Sequence, residues 1–171
     1  GVLHLDTRIR LDDVTNVAFN VGFNDAALDA SNPLPAELSG TTFTSNAATW
    51  VGVVFDVDAT NDDVHVFWVD DDNDTTTPIA SLRMSPSGVI PVNNEWFGVS
   101  IDLQDAGTGN SPILEVYCVE ESTGKRSYRR FTTTLDRDAL LTPHIGFENR
   151  SGTAHQFDID FINVYQSMAT T

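Results

Sequence analysis

The side chains with the most evident chemical capacity are acidic. Asp70-Asp71-Asp72-Asn73-Asp74 places five oxygen-bearing side chains in a row after an apolar stretch. A hard cation such as Ca²⁺ takes about 6–8 oxygen ligands, and a run of this kind suits it. Alternate residues of an extended segment share a side, so Asp70, Asp72 and Asp74 are the expected ligands. Asp56, Asp58, Asp62 and Asp63 are expected nearby, across the preceding turn. The run is not an EF-hand, because Thr75 stands where the loop glycine belongs and Ser81 where the closing glutamate belongs. A solvated acidic loop accounts for the same residues without a metal.

Catalytic arrangements are absent from the spacing. Asp158-Ile159-Asp160 sets two carboxylates at i and i+2, the nearest approach to a paired-acid glycosidase site. Their position on a closing strand reads instead as a solvent face. Glu148 is a second candidate acid, with Arg150 beside it as a salt-bridge partner. No Gly-x-Ser-x-Gly elbow marks a serine hydrolase. His4, His65, His144 and His155 are dispersed, without zinc spacing. No Gly-rich phosphate loop occurs. No catalytic residue is assigned, no cofactor is required, and a non-enzymatic role is expected.

Three further groups carry recognition chemistry. Trp50, Trp68 and Trp96 stack on sugars if they share an exposed sheet face, or pack in the core if they do not. Arg126, Arg129, Arg130 and Arg137 form a basic cluster suited to an acidic neighbouring subunit or to pairing within the chain. Asn73-Asp74-Thr75 and Asn149-Arg150-Ser151 match the glycosylation sequon. Cys118 is the only cysteine, in phase with Leu114 and Val116, and reads as a small buried hydrophobe.

Charge narrows the partners. The 171 residues carry 25 acidic against nine basic side chains, a net charge of −16. Nucleic acid recruits Lys and Arg, so it is not an expected partner. Anionic membranes are excluded on the same ground, and no apolar run approaches the roughly 18 residues of a membrane span. Aspartate outnumbers glutamate by 19 to 6 and threonine also reaches 19, a bias toward turns and strands. The chain opens at Gly1, without Met or an apolar targeting segment, and an upstream tag, signal or further segment is expected.

These groups must be positioned by strands, because period-2 alternation dominates. Residues 2–11, 17–23, 50–58 and 97–103 each alternate apolar with polar, and read as strands half-buried against a second layer. Residues 64–69 are apolar on both faces, as in a central strand. Segments 79–84, 113–119, 127–133, 143–149 and 155–165 read as further strands, with a bulge near Phe161 to explain a phase slip. Residues 135–141 suit a short helical turn, and 26–45 read as one long irregular loop. The expected fold is a single all-β domain over residues 1–171, an antiparallel two-sheet jelly-roll sandwich of about ten strands with little or no helix.

Three stretches resemble the concanavalin A-like (laminin-G-like) jelly-roll superfamily. They are Asn93-Asn94-Glu95-Trp96-Phe97-Gly98-Val99-Ser100-Ile101, the hairpin of 113–131, and Thr142-Pro143-His144-Ile145-Gly146-Phe147-Glu148-Asn149 with the closing strand 157–165. The closing pair also resembles the C-terminal strand of jelly rolls in tailed-phage structural proteins. The resemblance covers residues 45–166 and, loosely, the N-terminal strands. It implies a virion structural or capsid decoration (cement) protein, assembling with capsid or with itself, a homotrimer included. The alternative it admits is a secreted carbohydrate-binding module or lectin, Ca²⁺-dependent or not. A glycan-active hydrolase or lyase ranks third, since the Glu-x-Asp strand of the glycosidases and the Gln-x-His strand of the lyases are missing.

Overall fold

The computed structural model describes residues 1–25, 34–75, 79–84 and 89–167. The chain is an all-β sandwich of two antiparallel sheets. The first is ordered β10-β9-β8-β1-β12, from β1 (Val2–Leu11), β8 (Trp96–Gln104), β9 (Ile113–Glu120), β10 (Lys125–Thr132) and β12 (Phe157–Ser167). The second is ordered β11-β2-β5-β6-β7, from β2 (Val17–Asn24), β5 (Trp50–Asp56), β6 (His65–Asp70), β7 (Asn73–Asp74) and β11 (Thr142–Asn149). The chain passes between the sheets after β1, β7, β10 and β11.

The first sheet keeps the expected alternation. Leu5, Thr7, Ile9 and Leu11 of β1 are buried, while His4, Asp6, Arg8 and Arg10 face outward. Phe97, Val99 and Ile101 of β8, and Leu114, Val116 and Cys118 of β9, complete that inner face. Phe19 meets Phe97 at 6.4 Å between ring centroids, and Phe147 stacks on Phe157 at 5.2 Å, so aromatic pairs join the layers. Full burial of Phe19 and of Phe97 contributes about 1.5–3 kcal/mol each.

The second sheet departs from the half-buried expectation: every residue of β2 and β5 is buried. The cause is a third layer. Within the stretch read as a loop, β3 (Ala36–Ser39) and β4 (Thr42–Ser45) form a hairpin turned at Gly40, φ 59°. Ala36 and Leu38 cover Trp50, Val54, Phe67 and Val69 on the outer face in a second small core. Residues 26–33 of the same stretch lie outside the described residues, as do residues 85–88.

Two local expectations are corrected. Segment 79–84 is not a strand: Ile79–Leu82 forms one turn of helix, α1, followed by a single antiparallel bridge from Arg83 to His65 and a bond from Met84 N to Val64 O at 2.8 Å. A short apolar run does not distinguish the two states by period. Residues 135–141 hold a turn and no helix. The bulge, by contrast, is where the slip requires it. Arg8 faces Phe161 and Ile9 faces Ile159, leaving Asp160 as the extra residue.

Candidate functional site

The outer face of the first sheet gathers the polar and aromatic side chains into rows set by register. One row runs Tyr165, His4, Asp102, Glu115, Arg130 across all five strands. His4 Nδ1 lies 2.6 Å from Asp102 Oδ1, and its ring stacks on Tyr165 at 4.4 Å. Glu115 takes Arg130 at 3.4 Å and the hydroxyl of Tyr128, and that bond holds the phenol above its ordinary pKa. The next rows run Asn163, Asp6, Ser100, Tyr117, Tyr128 and Phe161, Arg8, Gly98, Val119, Arg126.

Gly98 lacks a side chain at the centre of the last row, and a depression of about 330 Å³ opens above it. Its rim carries Asp6, Arg8, Ser100, Tyr117, Arg126 and Phe161. Arg8 is held by Glu121 at 3.0 Å and by Asp160, with its guanidinium 4.9 Å over the Trp96 ring. Arg10 lies 4.8 Å over the same ring and donates to Asp158 at 2.6 Å. Gln156 and then Arg10 lower the Asp158 pKa by hydrogen bonding to its carboxylate. Asp158 and Asp160 are therefore each engaged by an arginine rather than paired with one another.

Of the three tryptophans, Trp50 and Trp68 are core residues, and Trp96 is half-buried beneath the two arginines. Three of the four clustered arginines bond within the chain. Arg129 donates to the carbonyls of Arg83 and Ser81, Arg130 meets Glu115, and Arg137 chelates Asp105. Arg126 has no carboxylate partner among the described residues.

The acidic run folds back on itself. β6 and β7 pair Asp70 with Asn73 and Val69 with Asp74, and Asp71 and Asp72 form the tight turn at φ 47° and 63°. Asp70 Oδ1 accepts from Asp136 N at 3.1 Å, and Asp72 N donates to Ala48 O at 2.9 Å. The chain turns between Asp70 and Asp72, so they do not share one side of an extended strand. The Asp74 side chain lies outside the described residues.

Two clusters escaped the reading of the sequence. Arg150, flagged only as a neighbour of Glu148, bonds Glu148 at 3.0 Å, Asp56 at 2.8 Å and Glu37 at 3.1 Å. Burial raises the Glu148 pKa, against the pull of Arg150 and with the push of Glu37. Burial presses Glu37 upward too, but hydrogen bonds from Asn46 and Arg150 leave it below its ordinary value. Elsewhere, Ser151 Oγ sits 3.0 Å from His155 Nε2, and His155 Nδ1 sits 3.5 Å from Asp12 Oδ1. The Ser151 oxygen is also engaged inside its own turn, with Asn149 Oδ1, Thr153 O and Thr153 N, each at 3.1 Å. The group thus ties the β11–β12 turn to the β1–β2 loop. Cys118 is fully buried, and burial pushes its thiol pKa far up, as a packing residue requires.

A further surface feature is a sheet edge. β12 pairs only with β1, and every residue from Ile159 to Ser167 is exposed. Ile159, Phe161, Ile162, Val164 and Tyr165 are five of the eight large hydrophobics exposed among the described residues. Soluble proteins normally blunt such an edge with charge, proline or brevity.

No protein-family model matches this chain, and no curated protein matches it.

Proposed function

We propose that this chain is a structural, non-enzymatic interaction protein that assembles with other protein subunits, and that its setting is a virus particle, as a capsid decoration protein. The observation that carries the assembly reading is β12, an 11-residue edge strand whose apolar side chains from Ile159 to Tyr165 are exposed on both faces. Apolar surface of this kind on a sheet edge serves pairing with another chain. The virion setting rests on the likeness of the closing strands to tailed-phage jelly rolls. The test is mass spectrometry of purified particles of the virus that encodes the chain. Stoichiometric copies retained through purification are expected, and its absence from particles would overturn the setting.

A second reading, glycan binding, is favoured by the depression over Gly98, whose rim mixes Tyr117 and Phe161 with Arg126, Asp6 and Ser100. Aromatic faces beside convergent polar groups suit a sugar ring. A glycan array run with Ca²⁺ and again with chelator separates the sites. Hits lost on chelation implicate Asp70 to Asp74. Hits that survive chelation and vanish in Arg126→Ala implicate the depression. A blank array removes this reading.

A further inference from the structure

The four sheet edges of the sandwich are not equivalent. β10 carries Lys125, Arg126, Arg129 and Arg130, β7 is two residues long, and β11 contains Pro143 and is mostly half-buried. Each is a known way of refusing a further strand. β12 uses none of them beyond its bulge. From Phe161 to Ser167 it holds no charged residue, in a chain with a net charge of −16.

The segment Phe161-Ile162-Asn163-Val164-Tyr165 also reads the same in both directions by chemical type: aromatic, β-branched, amide, β-branched, aromatic. Antiparallel pairing of two identical strands about a two-fold axis sets residue i opposite residue j and j opposite i. With the axis at Asn163, Phe161 faces Tyr165, Ile162 faces Val164, and the two Asn163 amides face each other. The register with β1 puts Phe161, Asn163 and Tyr165 on the outer face and Ile162 and Val164 on the inner face. Every pair in this alignment therefore joins residues of the same face. Aromatic and β-branched cross-strand pairs are favoured.

We propose that residues 161–165 are a self-pairing segment through which two copies of this chain join edge to edge, fusing their five-stranded sheets into one. The inference rests on the assembly reading above and names its partner as a second copy. Charge is the reason for that choice. Two molecules of net charge −16 repel each other over most of their surface, and this strip is where no charge opposes contact. Asp158 and Asp160, which precede it, are already neutralised by Arg10 and Arg8. The bulge at Asp160 ends the regular strip on that side.

The test uses the full chain in sedimentation equilibrium across a concentration series. A dimer is expected. Ile162→Lys with Val164→Lys sets like charges opposite one another and should raise the dimer Kd by roughly a hundredfold or more. Circular dichroism and the melting curve of that variant check that the fold is kept. Register is read independently by cysteine pairing. Asn163→Cys lies opposite its own copy, about 4.5–5.5 Å away between Cα atoms, within disulfide reach. Val164→Cys lies about 7–8 Å from its copy, beyond it. Mild oxidation should link the first variant and not the second, and the buried Cys118 does not compete. A wild-type monomer at all concentrations, an oligomer indifferent to the two lysines, or the reverse cysteine pattern would overturn the proposal. Monomers found stoichiometrically in particles would overturn self-pairing and leave the assembly reading standing. Dimers absent from particles would overturn the virion setting and leave self-pairing standing.

Discussion

Arg150 Nη2 donates to Asp56 Oδ2 at 2.8 Å, from the turn after β11 to the end of β5, and the Asp56 side chain is 1% exposed. Asp56 also receives the backbone N–H of Leu38 at 3.1 Å, so one carboxylate fastens the β3–β4 hairpin to the second sheet. Arg150→Leu strands that buried charge. The expected loss is about 3–5 kcal/mol, the cost of breaking a buried pair from one side. Urea denaturation of the variant measures it, and a loss well below this range would mean that water reaches the cluster.

Gly22 and Gly52 face each other beneath the Trp50 indole. A Cβ on Gly52 would stand 2.7 Å from Gly22 Cα and 2.8 Å from the indole ring. Gly52→Ala should destabilise the fold by about 1–3 kcal/mol through overpacking. Thermal unfolding gives the magnitude. Near-ultraviolet circular dichroism should report the displaced Trp50.

His65 is 1% exposed, and burial lowers its pKa from 6.5, against the opposing influence of Asp63. The folded state therefore binds this proton less readily than the unfolded state. Stability from this source is complete above the unfolded value of 6.5 and is lost as pH falls through the lower folded value. Burial lowers the His144 pKa too, so it acts in the same direction. The urea midpoint should fall as pH is lowered from about 7.5 to about 5, less steeply in His65→Phe. An identical slope in the variant would contradict the assignment.

Asp72 occupies a left-handed turn position at φ 63°, where glycine is preferred. Asp72→Gly should stabilise the hairpin by about 0.5–1 kcal/mol. The same variant tests the cation reading of the acidic run. If Asp72 ligates Ca²⁺, the wild-type melting temperature rises with Ca²⁺ and falls on chelation, and Asp72→Gly loses that response. A wild-type melt indifferent to Ca²⁺ would remove the metal.

Alternation with period 2 is a local property, and it determined most of this protein's strands. β1 spans the residues the pattern marks, the bulge sits at Asp160, and Cys118 packs with Leu114 and Val116. The palindromic segment 161–165 and the lack of charge around it are likewise written in the chain. Which strands become neighbours is not local, and only the tertiary structure decided it. β2 and β5 alternate like half-exposed strands, yet both faces are buried, because a hairpin inside an apparent loop folds over them. Glu37, Asp56 and Glu148 meet at Arg150 from three separate strands and a turn, a distance no spacing rule spans. The position of β12 at an edge is of the same kind. Side-chain direction repeats every two residues, but exposure depends on what the rest of the chain brings alongside.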